Sequence, residues 1–313
     1  ACKDADIILV WCVEQLHDGA LATMNKPIIE LTQNTDDHAK RQTALIDHLV
    51  DYRVACCKAA IETYPKKRRE TVKVIPNAID PNRVVPRYGR EHARRAWGVT
   101  EDEKVMLFMG RTVDEKNPQA LIQALSHLPE NWKAMFVGAG YRDDDLYSEA
   151  QRYVKDPDRV LFMDSQFHVG DILAAADVYC LPSDFEGQPL ALCEAWLAGI
   201  PTVCSEFTNA VDLREQFGAL CTYIPRAPTG EQMAEAVLRA TSGTEEVMME
   251  CVSAREVVWQ NFTLPTVAVA WEDFMERALF DWRQKRRLAT VHPVQPRIPR
   301  ETSTSKVQII KGA

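Results

Sequence analysis

Short apolar runs alternate with helical patterns along most of this chain, and that alternation narrows its fold more than any other feature. Four runs come first: DIILVWC (6–12), PIIEL (27–31), RVACC (53–57) and VKVIP (72–76). Six follow: VMLFMG (105–110), KAMFVG (133–138), RVLFMD (159–164), DVYCLPS (177–183), PTVCS (201–205) and ALCTYI (219–224). Helical patterns lie between them, for example over 118–128, 169–176, 190–198 and 229–240. Strands this short, separated by helices, predict an α/β protein with parallel sheets flanked by helices, because parallel neighbours need a crossover connection. A polar interval from Asp80 to Glu103, with Pro81, Pro86, Gly89 and Gly98, separates the two series. The expected division is a first unit over 1–85, a linker over 86–103, a second unit over 104–260, a helix over 261–282 and a basic flexible tail over 283–313. The second series makes a full sheet; the first has too few strands and reads as part of a domain.

At 313 residues there is chain enough for two domains and a sizeable core. Apolar residues at 46% and charged residues at 26% place it among globular rather than disordered chains. No apolar run approaches the ~18–20 residues that span a bilayer. The nine cysteines (2, 12, 56, 57, 180, 193, 204, 221 and 251) form no CxxC pair, and several sit in strand runs. They read as small core residues of a reduced, cytoplasmic protein. The net charge of −8 argues against a nucleic-acid binder. From Arg283 onward the chain carries +7, leaving −15 for residues 1–282. That tail, with Pro293, Pro296 and Pro299, reads as a solvated appendage, or as weak peripheral contact with anionic lipid at the inner face of a membrane. Lys66-Lys67-Arg68-Arg69 reads as a solvated loop, or as contact with an anionic acceptor or membrane surface. The chain opens on Ala1 and enters a strand-like run with no charged-then-apolar leader, as if its true beginning had been removed.

The most specific stretch is SDFEGQPLALCEAWLAGIPTV (183–203). Glu186 and Glu194 are separated by seven residues, around Gly187, Gln188, Pro189 and Leu190. Pro189 suits the first turn of a helix, and Gly199-Ile200-Pro201 supplies the stop. The free N–H groups of that turn favour an anion. Glu194 lies roughly 7–8 Å farther along the axis at ~1.5 Å per residue. One carboxylate before an anion site and another beyond it match a nucleoside-diphosphate sugar, whose sugar and ribose hydroxyls flank a diphosphate. The spacing alone also fits an amphipathic helix with a solvent-facing Glu. A second segment, MLFMGRTVDEKNPQALIQAL (106–125), ends a strand at Gly110 and presents Arg111 and Lys116 before a helix. Cations at the carboxyl end of a parallel strand lie where such sheets bind ligands, and they can neutralise a diphosphate.

With these segments the chain resembles a retaining glycosyltransferase of GT-B fold, family 4 type, over roughly 68–275. VIPNAIDPNRV (74–84) resembles the family's interdomain segment, GRTVDEKN (110–117) its donor-phosphate loop and FVGAGYRDDDL (136–146) its Gly-rich loop. ADVYCLPSDFEGQPLALCEAWLAGIPTV (176–203) resembles its E-x7-E region. The resemblance implies two Rossmann-like domains, the first incomplete and on the acceptor side, with the helix over 264–283 crossing back to brace it. It implies transfer of a sugar from a nucleoside-diphosphate donor to a glycan, lipid or small-molecule hydroxyl, with retention of configuration, no metal and no cofactor. Arg111 and Lys116 would hold the diphosphate, Glu186 the donor-sugar hydroxyls, and Glu194 the ribose. Backbone N–H groups from Gly187 through Gln188 and Pro189 to Leu190 would complete the phosphate cradle (Pro189 itself has none), and Met163 and Asp164 would contact the base. Arg111, Lys116 and Glu186 would carry catalysis through positioning and leaving-group stabilisation.

Departures and rival patterns bound this expectation. The family's opening strand and Gly-rich loop have no match here, and Gln33 stands where members often carry a His. A catalytically impaired nucleotide-sugar-binding module and a nucleotide-sugar epimerase on the same fold are therefore the alternatives. His38 reads as a surface helix residue. Asp143-Asp144-Asp145 imitates a D-x-D metal motif, but its place at a helix start suits the helix dipole instead. Gly138-x-Gly140 lacks the third glycine of a dinucleotide fingerprint. His17, His48, His92, His127, His168 and His292 show no metal-ligand spacing. Helical spacing of apolar residues over 52–65 and 264–279 reads as core packing.

Overall fold

The computed structural model describes residues 5–11, 23–138 and 144–291. Cys2, Cys12, His17, His292, the loop residues 139–143 and the tail over 292–313 lie outside them. The first sheet comprises β1 (Ile8–Trp11), β2 (Ile28–Thr32), then helix α1 (Asp37–Ile46), β3 (Tyr52–Ala55) and β4 (Val72–Val74). Its strands lie in the order β1-β2-β3-β4, all parallel. Asp36 caps α1, accepting a hydrogen bond from the Ala39 N–H at 2.7 Å. Through Ile46, α1 covers Ile8, Val10 and Ile28 on one sheet face.

Helix α2 (Arg90–Ala96) leads into the second body, in which strands and helices alternate. These are β5 (Lys104–Met109), α3 (Gln119–Ala124), β6 (Trp132–Val137), α4 (Asp144–Tyr153), β7 (Val160–Met163) and α5 (Gly170–Ala175). Then come β8 (Val178–Leu181), α6 (Leu190–Ala198), β9 (Thr202–Ser205), α7 (Thr208–Phe217), β10 (Thr222–Ile224) and α8 (Gly230–Ala240). The sheet runs β10-β9-β8-β5-β6-β7, all parallel. Helices cover both faces, which is why these strands read as unbroken apolar runs. Helices α3 and α8 pack on Phe108, Phe136 and Val203. Helices α5, α6 and α9 (Glu245–Asn261) pack on the opposite face with Leu107, Met135 and Tyr179.

The last helix, α10 (Leu264–Val291), crosses to the first sheet, where Val267 and Ala278 bury Ile29, Leu31, Val54 and Ile75. The chain is stitched there by Ile79 N–H to Phe262 O and Leu264 N–H to Ile79 O, both 2.8 Å. No helix among the described residues is long and apolar enough to cross a membrane.

Four expectations need correction. The interval 86–103 is not a bare linker. Arg94 of α2 is 3% exposed and donates to Ala175 O at 2.8 Å, Thr100 O at 2.7 Å and Glu103 O at 2.5 Å, docking α2 on the second body. The tail over 283–313 does not begin at 283, because α10 continues to Val291. Lys285 and Arg286 are good helix formers, with cations over the Tyr52 and Trp282 rings, and Pro293 is the first residue to forbid the helix. Residues 52–65 pack in the core as expected, with Val54, Ala55, Ala60 and Tyr64 buried, but not as one helix. Tyr52–Ala55 is held in parallel register by β2, and Ala59–Thr63 is a 3-10 turn. Lys66–Arg69 lies in a 3-10 turn (Lys66–Thr71) in which Arg68 meets Asp47 at 3.1 Å and Arg69 meets Glu62.

Candidate functional site

Strands β5 and β8 are neighbours, yet the chain leaves β5 toward β6 and β7 and leaves β8 toward β9 and β10. Their carboxyl ends therefore flank the topological switch point, where a crevice opens in such sheets. Each end carries one of the predicted segments.

After β5 the chain makes a 3-10 turn, Asp114–Lys116, that ends on Asn117 in the left-handed conformation (φ 47°). Asn117 is itself buried, and the turn aims Lys116 inward. The Lys116 Nζ lies 2.5 Å from Glu186 Oε1, and the Ser183 hydroxyl donates to the same oxygen at 2.8 Å. The Asp184 N–H donates to Glu115 O at 2.9 Å, tying the two loops through backbone as well. Arg111 does not join this contact. Its side chain is 67% exposed and meets Glu115 Oε1 at 3.4 Å.

Helix α6 starts one residue later than its Pro suggests, with Pro189 as the N-cap, and stops at Gly199 in the left-handed conformation (φ 77°). The Gly187-Gln188 loop before it is gripped from both bodies. The Gln188 side-chain oxygen accepts from the Asn77 N–H at 2.5 Å, and its amide donates to Asn77 O at 3.1 Å. Asn209 donates to Gly187 O at 2.6 Å. A Cβ on Gly187 would stand 2.0 Å from Gln33 O, so only glycine permits the approach of the first body here. Leu190, by contrast, is partly exposed.

Glu194, in the second turn of α6, is buried and meets Arg83 Nε at 3.0 Å. Burial pushes its carboxyl above the usual range, and the Arg83 charge opposes that rise. The Arg83 guanidinium also lies 5.3 Å from the centre of the Phe167 ring, which is exposed. Tyr179 of β8 keeps a buried hydroxyl without a hydrogen-bond partner. Burial, and then the charges of Glu186 and Glu194, push its phenol upward. At the far side of the sheet's end, the Gly138 N–H donates to Met163 O at 3.1 Å, and a Cβ on Gly138 would strike Gly110 O at 1.9 Å. Met163 closes β7 and Asp164 follows it in an exposed position.

Of the predicted residues, Lys116, Glu186, Gly187, Gln188, Pro189 and Glu194 gather around the start of α6. Arg111 stands outward, and Met163 and Asp164 lie at the end of β7. Arg83 was missed; it was visible only as a cation inside VIPNAIDPNRV. Gln33 meets the site through its carbonyl, while His38 stays on the exposed surface of α1 beside Gln42 at 2.8 Å.

The family model for glycosyl transferases group 1 matches residues 89–248. The chain is 30% identical over 144 residues to UDP-Gal:alpha-D-GlcNAc-diphosphoundecaprenol alpha-1,3-galactosyltransferase of Escherichia coli, a match covering 44% of this chain and 37% of that protein. It is 29% identical over 215 residues to the uncharacterized glycosyltransferase MJ1607 of Methanocaldococcus jannaschii, covering 64% of this chain and 52% of that protein. The chain thus spans between about a third and about half of these curated relatives. Anabaena Alr3699/HepE, solved in complex with UDP and glucose, superposes with a TM-score of 0.74 at 20% identity, over 87% of this chain and 78% of that one. That likeness shows a shared GT-B fold.

Proposed function

The chain belongs to the glycosyl transferases group 1 family, and from that premise we propose that it moves a sugar from a nucleoside-diphosphate donor to an acceptor hydroxyl with retention of configuration. One observation carries this reading: Lys116 and Glu186 meet at 2.5 Å across the switch point, directly before the free N–H groups of α6. A diphosphate set there receives a cation and helix N–H donors together. Glu186 then faces the donor sugar, and Glu194 faces the ribose. Arg111, held only by an exposed contact worth little, is free to swing onto the phosphate.

In this reading the chain's residues supply placement and charge. Lys116, Arg111 and the α6 N–H groups stabilise negative charge growing on the diphosphate as the glycosyl bond breaks. Glu186 orients the sugar so that the acceptor oxygen approaches the face the phosphate leaves, and a phosphate oxygen takes the hydroxyl proton. The acceptor is a glycan, lipid or small-molecule hydroxyl set against the first body. HepE was solved with UDP, and the Escherichia coli relative is named for UDP-Gal, so uridine is the first base to test.

Calorimetry with UDP tests the site. Arg111→Ala and Lys116→Ala are each expected to weaken binding by ~1.5–3 kcal/mol, as charge-assisted contacts do. Unchanged affinity in both variants would remove the phosphate assignment.

A further inference from the structure

Behind the Gly187-Gln188 loop the two bodies enclose a cavity of about 270 Å³. Among the described residues neither Lys116, Glu186 nor Glu194 lines it, and nothing in the proposed transfer uses it. Both bodies build its apolar walls: Val74 of β4 with Val267 and Ala270 of α10, and Leu213 and Phe217 of α7 with Phe262 after α9. Its mouth is open, since Lys58, Gln216, Thr266 and Ala270 line the space and are exposed. Lys58 and Asp212 meet there across the two bodies at 3.7 Å.

One polar group in the wall is left half answered. Asn209 lines the cavity, is 3% exposed, and donates from Nδ2 to Gly187 O at 2.6 Å. A carbonyl only accepts, so the amide nitrogen is fixed on that side and the oxygen on the other. No described residue donates to Asn209 Oδ1. An acceptor on so buried a residue calls for a donor. The geometry points to a binding site for a small neutral molecule that has a flat apolar body of two fused rings and one N–H or O–H group for Asn209. Size sets the body: an apolar cavity of ~150 Å³ takes one benzene ring, and this one is nearly twice as large. Charge sets the rest, because Lys58 and Asp212 are the only charged residues of the described lining and they answer each other. An ion seated inside would give up its water for no free countercharge.

Such a molecule touches both bodies at once, so it favours the arrangement in which they enclose the cavity. It also packs against Asn209, which holds the Gly187 carbonyl and with it the loop before α6. On the transfer reading that loop meets the diphosphate, and the molecule is then an effector that tightens donor binding. The effector role rests on that reading; occupation of the cavity does not.

The test titrates indole into the folded full chain by calorimetry, with no nucleotide present. One-to-one saturation with a Kd below about 1 mM is expected. Indene, of the same shape without the N–H, should bind roughly twofold to tenfold more weakly. Ala270→Phe fills the mouth from α10 and should weaken indole at least about tenfold, whereas Val269→Phe, exposed on the same helix outside the lining, should leave it unchanged. Saturating indole should then tighten UDP at least about twofold. No saturable binding of indole, equal affinity in Ala270→Phe, or indene as tight as indole would overturn the site. UDP affinity unmoved by bound indole would overturn the effector role. A wild type that binds indole but not UDP would remove the transfer reading, and the effector role with it, and leave the site.

Discussion

Glu30 makes the stability of this protein depend on pH in a direction opposite to that of most carboxylates. It sits in the middle of β2, 4% exposed, with Oε2 lacking any hydrogen-bond partner. Its cross-strand neighbour Arg53 on β3 turns to Asp47 instead, donating from Nη2 to Oδ1 at 2.6 Å and to the backbone oxygen at 2.8 Å. Asp47, at the end of α1, adds a negative charge, and the Tyr64 hydroxyl donates to Val54 O at 2.9 Å and meets Glu30 at its backbone carbonyl, at 3.4 Å. Burial therefore dominates, and the Glu30 carboxyl is pushed up from 4.5 to about 8. Below about pH 4.5 the group is protonated whether the chain is folded or not, and it imposes no penalty. Between there and about pH 8 the unfolded chain releases the proton and the folded one keeps it, so stability falls as pH rises. Above that range both forms are ionised and the loss is complete. At ~1.4 kcal/mol per pH unit the full loss is ~5 kcal/mol. Replacing Glu30 by Gln keeps the shape and removes the titration. Urea unfolding of both proteins from about pH 5 to about pH 9 reads the difference directly, because every other titrating group cancels. The variant should gain on the wild type steadily with pH, by several kcal/mol in all. A difference that stays constant across that range would refute the burial reasoning.

Two further outcomes follow from close contacts. Gly187→Ala places a Cβ 2.0 Å from the Gln33 backbone oxygen, so the loop before α6 must move. It should lose ~1–3 kcal/mol of stability together with nucleotide affinity, and an unaltered melting temperature with normal UDP binding would contradict the contact. Arg94→Ala strips the carbonyls of Ala175, Thr100 and Glu103 of this donor and leaves Asp177 with one cation fewer. It should cost ~3–5 kcal/mol in a urea midpoint measurement, whereas Arg95→Ala, on the exposed side of α2, should stay within ~0.5 kcal/mol; equal effects would deny Arg94 its structural part.

What the chain discloses without coordinates depends on how local the signal is. All ten strand runs lie within three residues of the observed strands. The strands of the second sheet are covered on both faces and so are apolar at nearly every position, a requirement that no distant partner alters. Helix α2 was hidden for the opposite reason. Its sequence REHARRA has no apolar stripe, and its burial rests on Arg94 reaching carbonyls from the α5 end and from 100 and 103. Only the tertiary structure makes such a residue a core residue. The end of α10 was misread through charge, since a basic run looks like a tail until Tyr52 and Asp6 are seen beside it.

The site divides along the same line. Sequence spacing placed Glu186 in the loop before α6 and Glu194 about one turn and a half past Pro189, and it marked Lys116 as a nearby cation. It did not reveal that each carboxylate has a cation from a different segment: Lys116 after β5 for Glu186, and Arg83 between the sheets for Glu194. The pairing limits what a ligand can do. Removing the cation from a buried carboxylate costs ~3–5 kcal/mol, more than one or two neutral hydroxyl contacts return at ~1 kcal/mol each. In the proposed donor site a ribose diol therefore adds to the Arg83–Glu194 pair and does not displace Arg83. A phosphate is different, because its charge replaces the partner that Lys116 leaves and the two anions share one ammonium. In the proposed nucleotide complex Arg83 thus stays on Glu194, keeping that carboxylate aimed, while Lys116 turns partly from Glu186 toward the phosphate.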